Sequence, residues 1–180
     1  FGERHAAWEW YAGYREIHNP GLGGGERADQ VVPTAIEWLE RNSDKDDWFL
    51  HVNVWDPHTP YRTPMEYGNR FEDDPLPEWY TEEMRQKTWD SFGPHSAQEL
   101  WGYEPREDER FPRVPAQLDS MEAVKRWIDG YDMGIWYADM WVGKLLDTLE
   151  AQGILDDTVI VVSSDHSEAQ GEFDIWGDHQ

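Results

Sequence analysis

In two parts of the chain, apolar residues recur at the three- and four-residue spacing of an amphipathic helix. The shorter part covers residues 28–42, where this spacing joins Val31, Val32, Ala35, Ile36 and Leu39. The longer part covers residues 121–149 and is the strongest periodic signal of the sequence, joining Val124, Trp127, Ile128, Tyr131, Ile135, Ala138, Val142, Leu145, Leu146 and Leu149. The pattern therefore predicts two helices, the second much longer than the first.

The longer helix has signals for its beginning, its end and its packing. Asp119 and Glu122 have the spacing of a capping box, with Asp119 as the cap. Gly153 marks the end, since glycine readily takes the left-handed conformation that closes a helix. Gly130 and Gly134 lie within the helix, and we expect each to bend it or to admit a close neighbour.

Two short apolar segments have the composition of buried strands. Residues 48–55 are largely aromatic and β-branched and stop at Asp56, whereas residues 158–163 are β-branched and run into Asp165. The proline-rich and charged residues 62–117 show no clear period and are expected to form a surface insertion with short helices. The order of helix, strand, insertion, helix and strand predicts an α/β domain with a parallel sheet covered by helices.

Both predicted strands end in groups that carry chemistry. Asp56 and His58 follow the first, and Asp165 and His166 follow the second, with His179 further along. Ligands of such sheets bind beyond the carboxyl ends of the strands, so neighbouring strands would bring the groups to one crevice. Carboxylate and imidazole are ligands for a divalent cation. The alternative for the first group is an ordinary Asp-Pro turn in which the histidine donates to a loop carbonyl.

The amino-acid composition argues against several classes of protein. With 38 acidic and 15 basic residues the formal net charge is −23, which would repel nucleic acids and anionic membrane surfaces. An aromatic content of 14% argues against disorder. The chain has no cysteine, hence no disulfide or thiol chemistry, and no apolar run approaches the ~18 residues of a membrane span. These features do not select a cellular compartment.

Three segments resemble the sulfatase family: residues 48–61, with the element His58-Thr59-Pro60-Tyr61; residues 131–149; and residues 156–166, which end in Asp165-His166. The resemblance implies an alkaline phosphatase-like α/β/α sandwich with a mostly parallel sheet, incomplete in this chain. It also implies that residues 1–180 are part of one catalytic domain that hydrolyses sulfate esters, either of small molecules, such as aryl sulfates, or of glycans.

The resemblance also implies roles for individual residues. Asp165 and His166 would be ligands of the divalent metal, usually Ca²⁺ in this family. His58 would contact the sulfate or the leaving oxygen, with a general-acid role, and His179 would be a second cation for the sulfate. The alternative for His179 is a solvated surface histidine.

The chain departs from the family pattern at two points. Ser167 replaces the glycine that usually follows the Asp-His pair, so a different loop conformation is expected. The Cys/Ser-x-Pro-Ser-Arg motif, whose first residue becomes the formylglycine nucleophile, is not in this sequence. In the family this motif and a metal-binding Asp pair lie upstream, so we expect the chain to be an internal piece that is inactive by itself.

Two other functions remain open at the level of sequence. A phosphodiesterase or a phosphonate monoester hydrolase of the same superfamily would share the strand-end elements. A non-catalytic acidic module that binds cations or glycans would explain the charge, and the 12 tryptophans could be its sugar platforms. Such a module would bind its ligand through these 180 residues alone.

Overall fold

The computed structural model describes residues 13–91, 93–100 and 107–178. Its α helices in these ranges are α1 (Ala28–Asn42), α2 (Glu82–Trp89) and α3 (Met121–Ala151), and its 3₁₀ helices are Met65–Tyr67, Leu155–Asp157 and Glu172–Asp174. None of these helices has the length and apolar character needed to cross a membrane. The chain divides into two compact units, one of Phe1–Asp56 with Tyr137–Ile160 and the other of Pro57–Trp136 with Val161–Gln180.

Helix α1 belongs to the first unit and confirms the prediction for residues 28–42. Its buried residues follow the predicted spacing: Ala28, Val32, Ala35 and Leu39. The helix begins where the Asp56 carboxylate accepts the Ala28 N–H at 2.8 Å. A negative charge at this position is favourable because the first N–H groups of a helix lack internal partners.

Helix α3 confirms the long predicted helix, but the expected cap is wrong by one residue. The Ala123 N–H donates to Ser120 Oγ at 3.1 Å, so Ser120, not Asp119, is the capping residue. Serine accepts this bond with its short hydroxyl, and Glu122 then lies in the first turn. The predicted end is confirmed, since Gly153 has a φ of 72° and its N–H donates to the Glu150 carbonyl at 2.9 Å.

The core of the second unit is built on the first half of α3. Tyr61 and Trp176 pack edge-on against Trp127, with ring centroids 5.1 and 6.5 Å away. Residues 62–117 include helix α2 and contribute Ala97, Leu100 and Val114 to this core. The buried Arg113 guanidinium donates to the carbonyls of Thr63 and Gly68, both at 2.8 Å, which secures the start of that segment.

Neither segment predicted as a strand pairs with another in the described part of the chain, where the only β-type pairing is an isolated bridge between Gln170 and Trp176. Apolar residues of the two segments are exposed: Phe49 by 74%, Val159 by 90%, Val161 by 81% and Val162 by 82%. A strand is completed only by hydrogen bonds from another strand, and these ranges supply none. The parallel sheet therefore stays an expectation.

Candidate functional site

The turn that carries His58 lies against two glycines of α3. A Cβ added at Gly134 would stand 2.6 Å from Pro57 Cβ, and one added at Gly130 would stand 2.5 Å from Tyr61 Cδ2. Both distances are below carbon–carbon contact, so any side chain at either position would push the turn away. This confirms the expectation of a close neighbour at the two glycines, and that neighbour is the turn of residues 57–61.

The carboxylate of Glu168 binds the same turn from another side. Its side chain is only 3% exposed, and Oε1 lies 3.6 Å from His58 Nδ1. Oε1 accepts the Thr59 N–H at 2.5 Å, and Oε2 accepts the Tyr61 hydroxyl at 3.3 Å. Glu168 follows His166 by two residues, so this carboxylate joins the segment after Asp165 and His166 to the turn of residues 57–61.

Burial changes the acidity of this group. Removal from solvent raises the pKa of Glu168 to about 7, although the hydrogen bonds from Thr59 and Tyr61 act in the opposite direction. Burial and the neighbouring Glu168 charge likewise raise the pKa of the Tyr61 hydroxyl. A carboxyl group that titrates near neutral pH thus lies beside His58, and such perturbed groups concentrate at functional sites.

His58 and His166 meet in the second unit. Their rings are nearly perpendicular, at 77°, with centroids 5.9 Å apart. His58 Nδ1 donates to the Thr59 carbonyl at 2.6 Å, and His166 Nδ1 donates to the Ser167 carbonyl at 3.0 Å. Because a carbonyl oxygen can only accept, both Nδ1 atoms carry the proton. In the neutral form of each ring, Nε2 is therefore the nitrogen without a proton.

Asp165 and His166 have a geometry that one cation can share. Asp165 Oδ2 lies 3.8 Å from His166 Nε2, and the Asp165 side chain is 90% exposed. An ion about 2.3 Å from both atoms fits this separation. The His166 Nδ1–H bond to a carbonyl is the support that metal-bound histidines commonly have. Among residues 13–91, 93–100 and 107–178, however, no three acidic or histidine side chains cluster as a metal site, so a complete site needs further ligands.

The loop after this pair accommodates the unusual serine. Ser167 is not among the described residues with positive φ, so it avoids the backbone strain that would require glycine. The next residues line a cavity of about 560 Å³, formed by Ser167, Glu168, Ala169, Glu172, Phe173, Ile175 and Asp178. Its three carboxyl groups would repel an anion, so a sulfate needs a metal or another cation nearby.

Two predicted residues remain, His179 and Asp56. His179 lies outside the described residues. Asp56 belongs to the first unit, where it binds the first turn of α1. Glu168 belongs to the acidic group after the second predicted strand, but the sequence assigned it no role, since glutamate is ordinarily exposed and no local pattern indicates that this one is buried. Tyr61 was visible only as the end of the His-x-Pro-Tyr element.

Comparison with known proteins defines the class. The sulfatase family model matches residues 2–179. Choline-sulfatase of Rhizobium meliloti (strain 1021) is 30% identical over 92% of this chain and 30% of its own length. Iduronate 2-sulfatase of Homo sapiens is 28% identical over 82% of the chain and 26% of its own length. Arylsulfatase of Clostridium perfringens (strain 13 / Type A) is 24% identical over 89% of the chain and 29% of its own length.

The chain belongs to the sulfatase family, as the match over nearly all of its residues shows. It spans less than a third of the length of these curated relatives. No solved structure matches it significantly.

Proposed function

We propose that a full-length protein containing this chain hydrolyses sulfate esters, with His58 as general acid and with Asp165 and His166 as ligands of a divalent metal. The observation that carries the proposal is the meeting of His58 and His166, whose ring centroids are 5.9 Å apart. These residues come from two of the three segments that carry the sulfatase resemblance. Family membership supports the reaction class, and the geometry supports the assignment of roles.

His58 has the tautomer and the position for proton transfer to a leaving group. Its Nδ1–H is held by the Thr59 carbonyl, so Nε2 is the atom that exchanges a proton with substrate. Cleavage of the S–O bond leaves negative charge on the ester oxygen. In its doubly protonated form the His58 ring also carries a proton on Nε2. Transfer of this proton to the ester oxygen lets it depart as a neutral alcohol or phenol and leaves the neutral ring with its Nδ1–H, and an imidazole is suited to this step near neutral pH.

Asp165 and His166 supply one oxygen and one nitrogen for the metal, which we propose to be Ca²⁺. When bound, the metal neutralises sulfate oxygens and orients the ester. The strongly acidic character of the chain makes such a positive centre necessary, because the carboxylates around Glu168 would otherwise repel the substrate. We propose that the remaining metal ligands and a formylglycine nucleophile come from outside these 180 residues.

The substrate is proposed only as a class, a sulfate ester of a small molecule or a glycan. The similar proteins are a choline-sulfatase, an iduronate 2-sulfatase and an arylsulfatase, and this variety does not narrow the class. His179 is retained as a proposed second cation for the sulfate group. The α/β/α sandwich is proposed for the full-length protein, in which residues 48–55 and 158–163 would pair with other strands.

The test is an assay of the full-length protein with 4-nitrophenyl sulfate and with bis(4-nitrophenyl) phosphate. We expect sulfate ester hydrolysis to dominate, and we expect His58→Ala to lower kcat at least roughly 100-fold. The matched control is His51→Ala, which removes a histidine of the first unit. Preferred cleavage of the phosphate diester would favour the phosphodiesterase alternative, and equal effects of both substitutions would reject the role of His58.

A further inference from the structure

Glu168 has contacts that a merely charged surface residue would not have. It is buried, and within the part of the chain that the structure describes its carboxylate pairs with no lysine or arginine but lies 3.6 Å from His58 Nδ1. A buried carboxylate is costly unless it is hydrogen-bonded or paired. Its two oxygens accept from Thr59 N–H and Tyr61 OH, the residues that follow His58 at one and three positions.

These bonds form a continuous path to the imidazole. Glu168 Oε1 accepts the Thr59 N–H at 2.5 Å, and the carbonyl of the same threonine accepts the His58 Nδ1–H at 2.6 Å. Fixing Thr59 therefore fixes the acceptor that sets both the ring orientation and the tautomer of His58. The Tyr61 hydroxyl, bound to the second oxygen, prevents the carboxylate from rotating away.

From this arrangement we propose that Glu168 is a positioning residue, which holds His58 in the orientation and tautomer needed for proton transfer to the leaving oxygen. The proposal rests on the proposed function of His58 and extends it to a second residue. Glu168 does not reach the substrate in this scheme. It acts through Thr59 and through its proximity to His58 Nδ1.

A purely structural role of Glu168 predicts different kinetics from a positioning role. If Glu168 only stabilised the fold, its replacement would lower stability and would reduce turnover of all substrates by a similar factor. A positioning role predicts a loss that grows with the basicity of the leaving group, because a poor leaving group depends more on protonation. It also predicts a lower kcat at nearly constant KM, since the sulfate-binding groups are unchanged.

The kinetic test uses the full-length protein and a series of aryl sulfates with leaving phenols of different pKa. Glu168→Gln retains the size of the side chain, and Glu83→Gln is the control because it makes the same change at an exposed glutamate of helix α2. We expect Glu168→Gln to lower kcat roughly 10- to 100-fold for the poorest leaving groups, with little effect on the best. Glu83→Gln should keep the wild-type dependence.

A double variant tests whether Glu168 acts through His58. In the background of His58→Ala, the Glu168→Gln change should cause little additional loss, because both act on one proton transfer. Multiplicative losses, or an equal loss for every leaving group, would overturn the proposal.

A readout independent of turnover separates this inference from the proposed function. In full-length protein labelled with ¹⁵N-histidine, the His58 ring should report a protonated Nδ1 in the wild type and in Glu83→Gln. It should report a mixture of tautomers in Glu168→Gln. If the wild type cleaves no sulfate ester, the proposed function fails, while this spectrum still decides whether Glu168 orients His58. An unchanged His58 spectrum in Glu168→Gln would overturn the positioning role.

Discussion

Pro57 packs directly on Gly134, so closely that a Cβ on the glycine would lie 2.6 Å from Pro57 Cβ. The same helix approaches Tyr61 at Gly130, with a corresponding distance of 2.5 Å to Tyr61 Cδ2. The two glycines are four residues apart and therefore lie on the same face of α3. They form the surface on which the turn with His58 is placed.

Substitution of Gly134 by alanine should therefore displace this turn. We expect a loss of roughly 1–3 kcal/mol in the free energy of unfolding, since extra volume in a packed contact forces backbone shifts. The measurement is chemical unfolding of the 180-residue chain.

The matched control lies in the same helix. Gly143 has no atom within 4 Å of an added Cβ, so Gly143→Ala should stabilise the helix by up to about 1 kcal/mol through helix propensity alone. If Gly134→Ala were as stabilising as Gly143→Ala, the contact with Pro57 would not exist in solution.

The pKa of Glu168 predicts how stability depends on pH. Burial raises this pKa from 4.5 to about 7, so between these pH values the folded chain binds more protons than the unfolded chain. The stabilising contribution is complete below the lower value and is lost as pH rises through the upper one. The loss amounts to at most roughly 3 kcal/mol.

This dependence is measured as the free energy of unfolding at about pH 5 and about pH 8 in metal-free buffer. Glu168→Gln should show a smaller decrease than the wild type over this interval, because it cannot release the proton. Glu172→Gln should retain the wild-type decrease. The same decrease in Glu168→Gln and wild type would mean that the Glu168 carboxyl is not buried as described.

The contact between Asp56 and helix α1 gives a prediction for the first unit. The Asp56 carboxylate accepts the Ala28 N–H at 2.8 Å, and its loss should cost about 1 kcal/mol, as for other groups that bind the first turn of a helix. Hydrogen exchange of the Ala28 amide should become faster in Asp56→Ala. As a control, Asp46→Ala changes an exposed aspartate and should leave the exchange rate of the Ala28 amide unchanged. Equal rates in Asp56→Ala and wild type would exclude the hydrogen bond between Asp56 and Ala28.

Metal binding distinguishes the enzyme from a self-contained binding module. With Asp165 and His166 as the proposed ligands, and no cluster of three ligands among the described residues, the 180-residue chain should bind Ca²⁺ weakly or not at all in calorimetry. The full-length protein should lose activity with a chelator and regain it with Ca²⁺. Asp165→Asn should raise the required Ca²⁺ concentration roughly 10- to 100-fold.

The control for this series is Asp156→Asn, which changes an acidic residue of the Leu155–Asp157 helix in the first unit. It should keep the wild-type requirement for Ca²⁺. Tight binding of Ca²⁺ by the 180 residues alone would favour the acidic cation-binding module over the catalytic interpretation.

The helices were predictable from sequence because their signals are local. The spacing of Val32, Ala35 and Leu39 is enough to define the buried face of α1. At the start of α3 the local signal was ambiguous, since Asp119 and Ser120 are both good capping residues and the difference of one residue depends on the backbone. Gly130 could be recognised as a point of close approach, but not its partner, which is 69 positions earlier in the chain.

The strands and the role of Glu168 depend on distant residues. A strand requires a partner, and the apolar composition of residues 158–163 says nothing about where that partner lies. Glu168 is two positions from His166 and has the composition of a surface residue. Only the packing of the turn of residues 57–61 around it makes it a buried acceptor of two hydrogen bonds. Asp165 and His166 could be proposed as ligands from the sequence because they are adjacent.

The most direct test is the structure of the full-length protein with Ca²⁺ and a bound sulfate. We expect a single ion that contacts Asp165 and His166. One sulfate oxygen should bind this ion, and a second sulfate oxygen should lie within about 3 Å of His58 Nε2. An ion held away from this pair, or a sulfate bound beyond the reach of His58, would contradict the shared site.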